Sequence, residues 1–191
     1  MKLANGAICA VRDTSPFIWI LQLPRMNQKK PLIRDFPKGN EMNVIILGCG
    51  RVGSTLARMM YYDKHDVTVI DLVSESFRRL GNKFKGQRII GNGMDEDVLK
   101  RAGIEKCDVF ISVTQGDNRN IMVAQIAKEV YGVKKVITRI NDPIRADTYR
   151  SLDIITICGS TILSGIMRDF INTNEWLMEK DYNREYLSLN V

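Results

Sequence analysis

From Asn43 onward, short runs of β-branched and aliphatic residues alternate with helix-forming stretches, and this alternation constrains the fold more than any other feature of the chain. Val44-Ile45-Ile46-Leu47 is continuously apolar and ends in glycine, the pattern of a parallel strand buried on both faces. Val52 to Asp63 reads as a helix with Leu56, Met59 and Met60 on its inner side. Asp66–Asp71 is a second strand, and Ser74 caps a helix through Leu80. Arg88–Ile90 is a third strand, after which Asp95 opens a helix to about Ala102. Val109–Val113 is a fourth strand, followed by one long helix from about Asn118 to Tyr131 that Gly132 ends. Lys135–Ile140 is a fifth strand, Pro143 starts a helix at its first turn, and Ile154–Ile157 is a sixth strand. A last helix runs from about Ser160 to Ile171. Six strands alternating with helices imply an α/β fold, a parallel doubly wound sheet with right-handed crossovers.

The loop after the first strand narrows this further. Gly48-Cys49-Gly50-Arg51-Val52-Gly53 matches G-x-G-x-x-G, directly after a buried strand and opening a helix, which is the context the motif requires. Gly48 makes the tight turn, Gly50 lets backbone approach a pyrophosphate, and Gly53 lets the helix pack closely on the strand. The helix start then offers N–H groups and a positive dipole end to phosphates. Arg51, inside this turn, is placed to reach a second or third phosphate; the bland alternative is a solvated surface charge. Asp71 ends the second strand, where a carboxylate accepts hydrogen bonds from ribose hydroxyls and repels a 2′-phosphate. Leu72 and Val73 follow it with no immediate arginine, so NAD(H) or an adenine nucleotide (ATP, ADP or AMP) is favoured over NADP. The fold expected is a Rossmann-type nucleotide-binding domain over residues 42–158, with an interface helix and tail over 159–191.

Residues 1–41 differ in character. They hold four of the five prolines (Pro16, Pro24, Pro31, Pro37) without a sustained period, and read as an irregular extension with one short strand at Phe17–Leu21. Met42 directly precedes the first strand, and a start there would make the extension extraneous. The net charge of +6 resides mostly in this segment: residues 1–42 carry seven Lys/Arg and three Asp/Glu, leaving 21 against 19 for the rest. A near-neutral body without a basic stripe argues against a nucleic acid partner. Cys9, Cys49, Cys107 and Cys158 are far apart and His65 is the sole histidine, so no structural zinc set is present and a reducing, cytoplasmic compartment fits. The apolar run Phe17–Leu21 is too short to span a bilayer, which takes about 20 residues.

With these residues in place, a family resemblance follows. The run from Asn43 to about Thr161 resembles the nucleotide-binding N-terminal domain of the Trk/Ktr potassium-uptake regulators, the RCK or TrkA-N domain. It rests on Ile46–Gly53, His65–Asp71, Gly91-Asn92-Gly93-Met94-Asp95, Ala102-Gly103-Ile104, Val113-Thr114, Asp117-Asn118-Arg119-Asn120 and Arg139-Ile140-Asn141-Asp142-Pro143. The resemblance implies a cytoplasmic regulatory subunit, peripheral to the inner face of the membrane through its partner. Such domains pair into dimers that build a ring, with copies of themselves or a related subunit, beneath a membrane-embedded potassium channel or transporter. NAD(H) or ATP/ADP in the cleft shifts the ring between conformations. Carried over by position, the turn from Gly48 through Cys49, Gly50, Arg51 and Val52 to Gly53 holds phosphates. Asp71, followed by Leu72, holds the ribose. Asn92, Gly93, Met94 and Asp95 edge the adenine, and Thr114, Asp117 and Arg139 line the carboxyl-terminal rim. Where the family usually has Gly-Asp-Gly-Thr/Ser-Asp, this chain has Gly91–Asp95. The second regulatory domain common in the family is not expected, since about 20 residues follow the last helix. That helix carries an apolar stripe (Ile162, Leu163, Ile166, Met167, Phe170) read as a dimer contact, with coverage of its own core as the alternative.

Three functional classes compete. A nicotinamide-dependent oxidoreductase needs an acid/base and a substrate pocket. His65 lies in the turn before the second strand, away from the nucleotide. Tyr131 and Lys135 have the Y-x-x-x-K spacing of short-chain dehydrogenases, but Gly132 and a strand start separate them. A scaffold subunit that no longer senses ligand is the third class. A regulator, which needs only differential affinity of the nucleotide for two conformations, fits best.

Overall fold

The computed structural model describes residues 41–150 and 153–173, all within the unit Asn40–Val191. Apart from Glu41, the expected extension over 1–41 with its strand at Phe17–Leu21 lies outside the described residues, as does a short helix anticipated near Glu175–Lys180.

The elements alternate as the apolar runs demand. In order they are β1 (Asn43–Leu47), α1 (Arg51–Tyr62), β2 (Asp66–Asp71), a 3₁₀ helix (Ser74–Leu80), β3 (Gln87–Ile90), α2 (Glu96–Arg101) and β4 (Val109–Ser112). There follow α3 (Asp117–Gln125), β5 (Lys135–Arg139), α4 (Pro143–Arg150), β6 (Ile155–Ile157) and α5 (Gly159–Thr173). All pairings are parallel, in the order β3-β2-β1-β4-β5-β6. The chain thus leaves β1 toward one edge, then returns to lay β4 on the other side of β1. That reversal opens a crevice above the carboxyl ends of β1 and β4, where open α/β sheets bind ligands.

The pleat divides the core in two. Val44 and Ile46 of β1 pack with Val67, Val69, Ala57, Leu80 and Phe84 on the face covered by α1 and the 3₁₀ helix. Ile45 and Leu47 point the other way, to Ile70, Val98, Leu99, Phe110, Val123 and Ala127 beneath α2 and α3. Each such buried aliphatic stabilises the fold by roughly 1.5–3 kcal/mol. Burial on both faces is why β1 is apolar at every position from Val44 to Leu47.

Two local expectations are corrected. Ser74 does not cap an α-helix: the cap position is Val73, no side chain bonds there, and the segment winds as a 3₁₀ helix. At three residues per turn Phe77 and Leu80 eclipse, and both reach the α1 core. The long helix expected to Tyr131 ends regular winding at Gln125, and Ile126–Val130 forms a π turn in which the Tyr131 amide donates to the Ile126 carbonyl at 3.3 Å. On α5, Leu163, Met167 and Phe170 of the apolar stripe are half exposed and Ile162 and Ile166 partly buried, while Thr161 and Asp169 are buried. No helix among the described residues is long and apolar enough to cross a membrane.

Candidate functional site

The turn after β1 is built by steric exclusion. Gly48 sits at φ +106°, a region side chains avoid, and its amide donates to the Ile70 carbonyl at 2.8 Å. A Cβ at Gly53 would lie 1.9 Å from the Gly48 carbonyl oxygen, so only glycine lets α1 seat directly on the turn. Gly50 is different. A Cβ there would meet nothing within 4 Å, and its backbone is extended. Its small size therefore serves no contact among the described residues. It leaves space in front of the amino end of α1, where Gly50 offers no side-chain cap and the first turn has no acid. First-turn amides have no intrahelical acceptor, so this end presents donors and a positive dipole to the space.

Asp71, at the end of β2, closes the opposite wall. One carboxylate oxygen accepts the Cys49 amide at 2.6 Å and the other accepts the Val73 amide at 2.9 Å. An ionised carboxylate has about four lone-pair sites, so this stapling leaves acceptor capacity facing outward. The cleft between has a volume of about 350 Å³. It is lined by Leu47, Gly48 and Gly50 of β1 and its turn, Asp71, Leu72, Val73, Ser76 and Arg79 from the end of β2 and the 3₁₀ helix, Gly91, Asn92, Gly93 and Met94 after β3, and Val113, Thr114, Gln115 and Arg119 after β4.

The β4 rim is held by a buried amide. Asn120, fully buried in α3, accepts the Thr114 amide at 2.8 Å and the Thr114 hydroxyl at 2.7 Å through Oδ1. Its Nδ2 donates to the carbonyls of Thr114 (3.0 Å) and Arg139 (2.9 Å). Arg139 Nη2 also donates to the Thr114 carbonyl at 2.6 Å. One side chain thereby satisfies backbone groups of two strand ends that no ladder reaches.

Of the residues the sequence assigned to a nucleotide, Gly48, Gly50, Asp71, Leu72, Asn92, Gly93, Met94 and Thr114 line the cleft. The others stand around it. Gly53 is packed under the turn, and Arg51 and Val52 are exposed on the first turn of α1. Cys49 turns its sulfur inward to the Ser76 carbonyl at 3.4 Å. Asp95 caps α2 by accepting the Asp97 amide. Asp117 accepts the amides of Asn141 and Asp142 at 3.0 and 3.1 Å, tying α3 to the loop before α4. Arg139 braces Thr114. Ser76, Arg79 and Gln115 stand outside the motifs read from the sequence, and Arg119 and the organising Asn120 lie in one of them without a nucleotide role. Strand-end position was the signal available for Gln115. For Arg79 there was none, because 3₁₀ winding carries a residue eight positions beyond Asp71 back to the cleft.

The other reactive side chains lie apart from this cleft or are quenched. Burial, with the Asp71 charge adding to it, pushes the Cys49 thiol up to about 11, and burial does the same to Cys107. Neither is a thiolate at neutral pH. His65 accepts the Met42 amide at 3.4 Å, at the amino ends of the strands. Among the described residues no group of His, Cys, Asp and Glu is arranged to hold a metal ion.

Comparison with known proteins identifies this arrangement. The sequence profile of the TrkA-N domain matches residues 44–159, more than half of the chain. The chain belongs to the TrkA-N family. A Streptomyces coelicolor protein named Trk system potassium uptake protein TrkA is 49% identical over 116 residues, covering 61% of this chain and 52% of the relative. The chain spans about half the length of the curated relatives it matches. Among solved structures, the carboxyl-terminal domain of Shewanella denitrificans Kef, bound to AMP, superposes with a TM-score of 0.58 at 18% identity, covering 77% of this chain and 91% of that one. GsuK bound to ADP superposes at 0.57 with 18% identity, covering 82% and 40%. At such identities these likenesses establish a shared fold. It is the TrkA-N profile match that assigns the family.

Proposed function

We propose that this TrkA-N domain is a cytoplasmic regulatory module that binds an adenine nucleotide or NAD(H) in the cleft, and through it gates a membrane-embedded potassium channel or transporter. One observation carries the reading: Gly50 keeps open a space that none of the described residues fills, directly before the uncapped end of α1 and beside Asp71. That space suits a pyrophosphate, with the amides of the α1 first turn as donors and Asp71 as the ribose acceptor. Leu72, Val73 and Met94 supply an apolar margin for a base, and Asn92 a polar one. Relatives named for potassium uptake and neighbours bound to AMP or ADP support the same reading.

The side chains at hand support regulation over catalysis. Among the described residues the cleft is lined by one carboxylate, committed to two backbone amides, and by no histidine or tyrosine to shuttle a proton. A nucleotide that bridges Asp71, the α1 terminus and the β4 rim favours conformations in which the three keep their spacing, and so shifts a population. The exposed α5 stripe is the surface through which such a shift passes to a second subunit.

Thermal-shift and calorimetric titration of the purified chain with NAD⁺, NADH, ATP, ADP and AMP tests this. A ligand at 100 times its dissociation constant adds about 2.7 kcal/mol of stability. Asp71→Ala should abolish that gain. Absence of binding by all five, or steady consumption of NADH with a simple substrate, would sink the reading.

A further inference from the structure

Charge is spread unevenly over a body that is near neutral as a whole. Between Arg78 and Arg88 five cations (Arg78, Arg79, Lys83, Lys85 and Arg88) stand without an acid. With those five set aside, the 21 Lys/Arg of residues 43–191 fall to 16, against 19 Asp/Glu. The local fold sets the cations outward. The 3₁₀ helix ends at Gly81, whose φ of +72° turns the chain toward β3. Phe84 then enters the core beneath α1, its ring centroid 5.2 Å from that of Tyr61, and leaves Lys83 and Lys85 exposed on either side of it. A Cβ at Gly86 would lie 2.3 Å from the Val67 carbonyl oxygen, so glycine seats this loop directly on β2. Arg88, on the edge strand β3, donates through Nη2 to the Phe84 carbonyl at 2.8 Å. Arg78, Arg79, Lys83 and Lys85 make no side-chain hydrogen bond or ion pair among the described residues, so even Glu75, one turn before Arg78, neutralises none of them directly.

We propose that this face, from the 3₁₀ helix to the loop before β3, docks the chain directly on an anionic phospholipid surface. The function proposed above reaches the bilayer only through a partner, whereas this contact is the chain's own. A basin of about 340 Å³ among Asn82, Phe84, Lys85, Gly86 and Arg88 has no acid among its lining residues and receives a headgroup phosphate. It opens at the amino end of β3, the opposite end of the sheet from the nucleotide cleft. A charged lipid surface asks only for several cations held close to it, each strengthening the binding about fivefold. Long Lys and Arg stems supply that reach while Phe84 stays in the core. Nucleic acid asks for more. Single strands are held by stacking bases on aromatic faces, and Phe84, the one aromatic between Arg78 and Arg88, is buried. A duplex is held by an element laid in its groove, and here the cations lie on a seven-residue 3₁₀ helix and a loop anchored against the sheet.

Sedimentation of the full chain with vesicles tests this. It should bind vesicles of equal parts phosphatidylglycerol and phosphatidylcholine, and not phosphatidylcholine alone. Raising salt from about 0.1 M to about 1 M, which shortens the Debye length from about 10 Å to about 3 Å, should release it. Lys83→Gln with Lys85→Gln should weaken binding about 25-fold, about fivefold for each cation lost. Both positions are exposed and unpaired, so this variant should melt with the parent. Lys134→Gln with Lys135→Gln removes the same charge from exposed positions at the start of β5 and should bind as the parent does. Equal losses in the two variants would reduce the effect to net charge and overturn the proposal. So would an undiminished Lys83/Lys85 variant, which places the contact elsewhere in the chain, or failure of the parent to bind the anionic vesicles. A DNA duplex bound as tightly as the vesicles, and weakened equally in the Lys83/Lys85 variant, would replace the lipid surface with nucleic acid. None of these results bears on nucleotide titration, so the proposal can fail while the nucleotide reading stands.

Discussion

Replacing Gly53 by alanine sets two effects of opposite sign against each other. Gly53 lies in the first turn of α1, where intrinsic propensity favours alanine over glycine by about 0.8–1.0 kcal/mol. Against this, the new Cβ would stand 1.9 Å from the Gly48 carbonyl oxygen. Ordinary carbon–oxygen contact is about 3.3 Å, so helix and turn must part by roughly 1.4 Å. The turn cannot yield cheaply. Gly48 is held at φ +106° by its 2.8 Å bond to Ile70, and the backbone of Val113 sits immediately behind it. Overpacking of this kind costs about 1–3 kcal/mol, and a clash with backbone belongs at or above the upper end. The net expectation is about 2 kcal/mol of destabilisation, or a melting temperature lowered by roughly 4–8 °C for a chain this size. The matched control is Gly50→Ala, whose Cβ meets nothing. It should lose less than about 1 kcal/mol as a poorer cap, yet bind nucleotide far more weakly because its methyl group occupies the phosphate space. Circular dichroism melts and calorimetry on both variants read the two effects separately. A Gly53→Ala chain that melts at or above the parent would refute the steric argument.

Other expectations concern the rim, the thiols and the outer helix. Asn120→Leu should destabilise by about 2–4 kcal/mol, since several buried backbone groups lose their partner at 1–3 kcal/mol each; a melt within a degree of the parent would show that water replaces the amide. With Cys9 changed to serine, the native chain should resist iodoacetamide at pH 8 and be fully alkylated in denaturant, because Cys49, Cys107 and Cys158 are buried and the first two also have raised thiol values. Those two thiols make stability pH-dependent on the alkaline side. Their folded values stand raised from 9.0 to about 11, so their contribution is whole below pH 9 and is lost as pH rises toward 11, where the unfolded chain ionises first. Denaturant midpoints flat across that interval would contradict this. Leu163→Glu with Met167→Glu, both half exposed on α5, should leave the melting temperature within about 2 °C, a surface-substitution effect; if the α5 stripe is the subunit contact proposed above, light scattering should give a dimer for the parent and a monomer for this variant, and equal masses would refute that contact.

What could be read from the residues alone was whatever local chemistry decides. Strand β1 is apolar at four consecutive positions, so it had to be buried on both faces. Gly48 and Gly50 follow it directly, and Asp71 closes the next strand, so the turn and its acid were evident from spacing. The order of elements followed for the same reason, because period and breakers act over a few residues. Other features needed the sheet. Asp117 and Arg139 looked like ligand contacts, yet each is engaged by a loop or rim that only the adjacency of β4 and β5 supplies. Asn120 gives no sign in sequence that it will satisfy two strand ends. Arg79 and Arg119 come from segments forty residues apart and meet the same cleft because β4 returns beside β1. The phosphate turn is a property of six consecutive residues and their permitted dihedrals. The charge distribution of the cleft around it belongs to the crossover, since electrostatics depends on distances that chain order does not contain.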